Sequence, residues 1–176
     1  MIARYRAAGW RDPVLEIAAG SGRNTRAFVD AGIPIVSTRD DAPYTQLPDG
    51  RDTFAAAIST HGYLHGATAK LRMGFAELRR VLQPGAPAYV TLGSINDPRF
   101  GFGDALDERT FAPGDGDEIG IPHAYFERDG IHELLRGFTI ESLEEVDATS
   151  IVGTWAHPDT DSPQQIVHWF VVATKN

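Results

Sequence analysis

Val14-Leu15-Glu16-Ile17-Ala18-Ala19-Gly20-Ser21-Gly22, continuing into Arg23-Asn24-Thr25, reads as a buried strand that climbs to an acidic residue, turns on glycines and enters a helix at once. Glycine in such a turn lets backbone come against a ligand, and the helix that follows presents N–H groups with no intrahelical partner. The pattern points to a nucleotide-type site. A dinucleotide fingerprint, G-x-G-x-x-G, would need a third glycine at position 25, where this chain has Thr25, so a hydride-transfer reading is weakened.

Two later stretches follow in order. Asp52-Thr53-Phe54-Ala55-Ala56-Ala57-Ile58-Ser59-Thr60 is an apolar run of strand length after the turn Pro48-Asp49-Gly50. Glu77-Leu78-Arg79-Arg80-Val81-Leu82-Gln83-Pro84-Gly85-Ala86 is the end of a helix with basic residues in its last turn and a Pro-Gly stop, and it leads into the strand Tyr89-Val90-Thr91-Leu92. Together the three stretches resemble the class I S-adenosylmethionine (SAM) methyltransferases. In that family the first motif is acidic-x-Gly-x-Gly-x-Gly, and Glu16, Gly20 and Gly22 match it while Ala18 replaces its first glycine. The third stretch matches the family's leucine, variable residue, proline and paired glycines with only the last glycine changed.

The alternation along the whole chain agrees. Helices are expected at 2–9, 22–31, 67–82 and about 128–136, and strands at 13–19, 34–39, 54–60, 87–93, 138–146 and 165–174. Strands separated by helices imply a parallel sheet with right-handed crossovers, and the last two strands, joined without a helix, imply an antiparallel closing hairpin. The expected fold class is α/β, a Rossmann-like three-layer sandwich with a mostly parallel sheet, forming one domain over residues 1–176. One βα unit is expected to be missing, because only about 14 residues separate the second strand from Phe54 where the family has a helix and a further strand. A stretch of that length still reaches about 46 Å when extended, enough to cross past strand 1.

Composition limits the partners. At 176 residues, with 42% hydrophobic and 10% aromatic content, the chain can bury one substantial core. No apolar stretch approaches the roughly 20 residues of a membrane span, and Met1–Trp10 lacks the apolar core of a signal peptide, so the expectation is a cytoplasmic protein without a membrane partner. Sixteen basic against 24 acidic residues give a net charge of −8, which provides no basic face for nucleic acid and favours a small-molecule substrate. The absence of cysteine excludes disulfides and thiolate metal sites. A shortened sheet edge raises the expectation of a homodimer.

Carried over position by position, the resemblance implies SAM as cofactor. It assigns Glu16, Ala18, Gly20, Gly22 and Asn24 to the first loop, Asp40, Asp41 and Ala42 to the ribose and adenine region, and His61 to the next loop. The alternative for Asp40 and Asp41 is a solvated acidic turn. His61 and His65 have an i, i+4 spacing that can chelate zinc on a helix, but Gly62 replaces the glutamate of H-E-x-x-H and the flanking glycines favour a loop, so no metal site is expected. His123 either orients or deprotonates substrate or packs at the start of the following helix, and His157 is the second candidate base. Residues 95–126 are expected to form a long lid or substrate-binding insertion rich in aromatics, either covering substrate or anchoring itself through a small aromatic core. His168 and Trp169 alternate within the last strand and are expected to serve packing. The implied activity is methyl transfer to a small acceptor by in-line displacement; the alternative is a methyltransferase-like binding or regulatory module without catalysis.

Overall fold

The computed structural model describes residues 1–39, 42–60, 62–116, 118–148 and 166–176. In chain order the elements are α1 (Ile2–Ala7), β1 (Val14–Glu16), α2 (Arg23–Asp30), β2 (Ile35–Ser37), β3 (Ala56–Ser59), a 3-10 turn (Gly62–Leu64), α3 (Thr68–Val81), β4 (Pro87–Ser94), β5 (Asp104–Asp107), β6 (Thr110–Ala112), β7 (His123–Phe126), α4 (Arg128–Leu134), β8 (Phe138–Asp147) and β9 (Val167–Lys175). The sheet runs β2-β1-β3-β4 in parallel, then β9 antiparallel against β4 and β8 antiparallel against β9. No helix among the described residues is long and apolar enough to cross a membrane.

Side-chain alternation along the parallel strands makes two cores. Val14 and Ala56 face Tyr5 of α1 and Phe28 of α2, while Leu15 and Ala57 face the core built on Leu71, Phe75 and Leu78 of α3 and Ile131 of α4. Helices therefore cover both faces, giving the three expected layers. The apolar positions of α3, three or four residues apart, form one buried stripe. After Val81 the chain turns extended and Gln83-Pro84-Gly85 directs it into β4.

The missing βα unit has a visible replacement. Between β2 and β3 the described residues contain no helix and no strand, yet Tyr44 and Leu47 are both buried in the α3-side core. Glu77 on α3 accepts the Leu47 N–H at 2.8 Å, and Arg80, itself bonded to Glu77 at 2.7 Å, donates to the Leu47 carbonyl at 3.1 Å. Leu47 is thus gripped by both of its backbone groups. An irregular segment performs the packing that a helix would otherwise provide.

The insertion differs from a structureless loop. It folds into an antiparallel arm in which β5 pairs with β6 and β6 with β7. Since β9 occupies one edge of β4 from Pro87 to Gly93, β7, which pairs in parallel with Gly93 and Ser94, lies on the other edge, beyond the last β3 pair at Val90. Phe100, Phe111 and Tyr125 form a cluster with ring centroids 5.3–6.4 Å apart, Phe126 belongs to the main core, and Phe102 is exposed. Asp97 anchors the arm's entry. Its fully buried carboxylate accepts from Arg99 at 2.8 and 2.9 Å and from the Val167 N–H of β9 at 2.9 Å.

Candidate functional site

The order of strands locates the site before any side chain is considered. From β1 the chain moves outward through α2 to β2, then returns past β1 to β3, so the direction of sheet growth reverses between β1 and β3. Right-handed crossovers place the two connections on opposite faces, and the crevice at the carboxyl ends of the two strands is where ligands bind in such sheets. Here that crevice is bounded by residues 17–22 after β1 and by the 3-10 turn after β3.

The loop after β1 is left-handed at three points: Ala18 at φ 56°, Gly20 at φ 54° and Gly22 at φ 74°. Gly22 caps α2 and a turn bond from its N–H to the Ala19 carbonyl, 2.9 Å, closes the bend. Thr38, just past β2, holds the loop from the side: its Oγ1 accepts the Ala18 N–H at 2.9 Å and its carbonyl the Ala19 N–H at 3.1 Å. Among the described residues, a Cβ added at Gly20 or Gly22 would meet nothing within 4 Å. Ala18 adopts the backbone geometry in which the family pattern has glycine, and as a non-glycine residue it does so under strain.

Glu16 lies under this loop and is 1% exposed. Its carboxylate accepts from Asn24 at 3.1 Å, from Thr25 Oγ1 and from Ser37 Oγ at 3.1 Å. Asn24 also reaches Thr60 Oγ1 at 3.3 Å, linking α2 to the end of β3. Among the described residues no Lys, Arg or His forms an ion pair with Glu16. Glu16 is a strut that ties β1, β2 and α2 together beneath the glycines. Among the described residues its carboxyl is satisfied by these hydrogen bonds.

A second group of polar side chains lies at the carboxyl end of β4. His123 on β7 bridges to His65 in antiparallel fashion, and Glu118 stands between the two rings: His65 Nε2 to Oε1 is 3.1 Å and His123 Nε2 to Oε2 is 3.1 Å. The ring centroids of the two histidines are 4.8 Å apart. These two hydrogen bonds, His123 first, hold the Glu118 carboxyl far below the usual carboxylate range against the opposing effect of burial. Burial pushes the nearby Tyr125 phenol up to about 12. The 62–66 loop connects the two groups, since Gly62 packs against Ile17 and Ala18 while His65 faces His123.

The structure thus brings Glu16 of β1, Asn24 of α2 and the loop residues Ala18, Gly20 and Gly22 together at the β1–α2 turn. Ala42 sits half-buried in a turn whose N–H reaches the Arg39 carbonyl at 3.1 Å. Asp40, Asp41, His61 and His157 lie outside the described residues. His123 does not pack at a helix start: it is on a strand, and Glu127 precedes α4. Trp169 packs as expected, buried with its Nε1 donating to the Phe126 carbonyl at 2.8 Å. The meeting of His65, Glu118 and His123 was not readable from spacing, because 53 or more positions separate His65 from the other two and the β6–β7 arm brings them together.

The sequence matches no family model and no curated protein. Solved structures do match. A SAM-dependent methyltransferase from Methanosarcina mazei superposes with TM-score 0.67 at 17% identity over 93% of this chain and 92% of that one. The fold is that of the class I SAM-dependent methyltransferases. The 1,6-didemethyltoxoflavin-N1-methyltransferase of Burkholderia thailandensis, solved with its substrate and S-adenosylhomocysteine (SAH), aligns with TM-score 0.69 at 17% identity over 99% of this chain and 76% of that one. The [4+2]-cyclase SpnF aligns with TM-score 0.58 at 17% identity over 93% of this chain and 75% of that one. This methyltransferase fold therefore carries more than one chemistry among its members.

Proposed function

We propose that this chain is a SAM-dependent methyltransferase acting on a small molecule. The observation that carries the reading is the left-handed glycine loop at the sheet's switch point, built over a buried carboxylate that no cation neutralises among the described residues. A ligand carrying an amino group and a sulfonium suits that field, and an adenosine suits an open crevice beside the N-terminus of α2. In this reading the backbone around Ala18, Gly20 and Gly22 holds the amino-acid end of the cofactor. Asp40, Asp41, Ala42 and His61 line the nucleoside end, and Glu16 with Asn24 sets the loop's shape from beneath.

SAM supplies a methyl group on positively charged sulfur, open to in-line displacement by a nucleophile. The chain's own task is alignment and exclusion of water, which needs no covalent residue. The arm 95–126 stands at the carboxyl end of β4 and serves as the substrate cover. Where an acceptor carries a proton, the His65–Glu118–His123 cluster and His157 are the groups proposed to assist its removal. The net charge of −8 favours a small acceptor over nucleic acid, and the exposed edge at β2 is proposed to pair two copies.

Calorimetric titration of the whole chain with SAM and with SAH tests the reading. Binding of SAH with Kd below about 100 µM is expected. Absence of heat with either ligand at high micromolar concentration removes the enzyme and leaves only the fold.

A further inference from the structure

We propose that His65, Glu118 and His123 form a binding site for a divalent transition-metal ion. Their ligand atoms all lie within 4.8 Å of one another, and both imidazole-to-carboxylate separations are 3.1 Å. Metal–ligand bonds of about 2.0–2.2 Å in tetrahedral array place neighbouring ligand atoms about 3.3–3.6 Å apart, so the cluster is close to a chelating geometry already.

The hydrogen bonding of His123 favours a cation there. Its Nδ1 lies 2.8 Å from the Ile121 carbonyl, which can only accept, so Nδ1 carries a proton. In the neutral ring Nε2 is then a lone pair, and it faces a carboxylate oxygen at 3.1 Å in a side chain only 7% exposed. Two acceptors at that distance require a shared proton or a metal ion between them. A ligand histidine whose other ring nitrogen donates to a backbone carbonyl is the usual outer-shell arrangement of metal sites. The carbonyl is itself fixed, because the Ile121 N–H returns to the Glu118 carbonyl at 2.9 Å.

The scaffold is correspondingly firm. Gly66 N–H donates to the Pro122 carbonyl at 2.7 Å and Tyr44 Oη donates to the His65 carbonyl at 2.7 Å, so the two histidine segments are locked to each other and to the core. His65, with 32% of its side chain exposed, is the open side through which an ion enters. Two imidazoles and one carboxylate suit zinc, cobalt, iron or manganese rather than magnesium or calcium, and three protein ligands leave a coordination position for water or an acceptor oxygen. Use of that position to orient and acidify a methyl acceptor rests on the methyltransferase reading; the metal site does not. A coordinated Nε2 takes no proton, so on this inference the metal, not the imidazole, acidifies the acceptor.

The test is titration of chelator-treated whole chain with Co²⁺, read by visible d–d absorption, and with Zn²⁺ by calorimetry. One ion per chain is expected, with half-saturation below about 100 µM. Glu118→Gln, which keeps the side chain's shape, and His65→Asn are each expected to weaken binding by at least the roughly 10–100-fold that loss of a single outer-shell partner costs, whereas exposed His132→Ala leaves it unchanged. Failure of wild type to bind either ion in that range overturns the inference and assigns the cluster to protons, as does binding that survives both ligand substitutions. SAH affinity measured on the same preparations separates the two proposals: metal binding without SAH binding removes the enzyme and keeps the site, and the reverse result does the opposite.

Discussion

Gly62→Ala tests whether the loops after β1 and β3 fit together as closely as the site requires. A Cβ at position 62 would lie 2.9 Å from Ala18 Cβ, 2.9 Å from Ile17 Cγ2 and 3.0 Å from Ser59 Oγ. Carbon atoms are best packed at about 3.5–4.0 Å, so all three contacts are inside the repulsive wall. Ile17 and Ser59 are each 1% exposed and cannot swing aside, and Ala18 is held by Thr38 on its flank. The strain must appear as separation of the two loops. We expect destabilisation of about 1–3 kcal/mol, as for other overpacked cores, read as a lower urea midpoint and a fall in Tm of about 2–4 °C per kcal/mol. SAH affinity falls by at least about 10-fold because the crevice walls move. Gly50→Ala is the control: its Cβ would meet only Thr53 Oγ1, at an ordinary 3.5 Å, and a change within about 0.5 kcal/mol is expected. Ala18→Gly removes one of the three clashes, so the double variant is expected to be more stable than the sum of the singles by at least about 0.5 kcal/mol. A Gly62→Ala protein with wild-type midpoint and affinity, or strict additivity in the cycle, refutes the reasoning.

Glu16→Ala leaves the donors of Asn24, Thr25 and Ser37 without their acceptor and is expected to cost about 1–3 kcal/mol and at least about 10-fold in SAH affinity; undiminished affinity by calorimetry would mean that the loop is not the cofactor site. Burial alone would raise the Asp97 carboxyl, but Arg99 and the backbone N–H groups of Arg99 and Val167 outweigh it and hold it below its ordinary 3.8. Glu77, beside Arg80, and Glu141, beside Arg4, are likewise lowered from 4.5, the latter to about 2. Each of these folded values lies below the unfolded one, so the stability they contribute is complete above about 4.5 and lost as pH falls toward about 2. Asp97→Asn should cost about 3 kcal/mol at neutral pH and flatten the loss below pH 4; urea midpoints that run parallel in the two proteins over that range contradict this. The β2 edge, where Val36 is 41% exposed, is expected to pair two copies, with Val36→Lys restoring the monomer; a wild-type monomer by light scattering at high concentration rules this out.

The sequence contained the main sheet and its helices because each depends on local signals: the apolar run into Glu16, the Pro84-Gly85 stop, the continuous apolar strands at 56–59 and 87–94. The closing hairpin was equally readable, since β8 and β9 are long and lack a helical period between them. What escaped was the arm. Its strands β5, β6 and β7 span three or four residues each, and β5 is exposed along its whole length; no apolar alternation of useful length marks them. The Pro122–Phe126 segment was read as the approach to a helix because Ile131, Leu134 and Leu135 behind it carry the stronger periodic signal. With β7 unseen, His123 could not be placed opposite His65, nor Glu118 between them. The Ala18 substitution was visible in the sequence, but its left-handed backbone was not, because alanine by itself argues against that conformation.

The shortened crossover has a consequence for the site. A ligand crevice at a switch point needs the chain to leave β2 and re-enter at β3 on the opposite face from α2, and nothing in that requirement specifies a helix. Here Tyr44 and Leu47 supply the buried side chains and Glu77 with Arg80 satisfies the backbone that a helix would have satisfied internally. Gly74 on α3 makes the substitution possible, since a Cβ there would meet the Tyr44 ring at 2.5 Å. Tyr44 in turn bonds the His65 carbonyl, so the segment that replaces the lost unit also fixes the loop carrying one histidine of the second polar cluster. The irregular crossover is therefore coupled directly, through Tyr44, to the loop that carries His65.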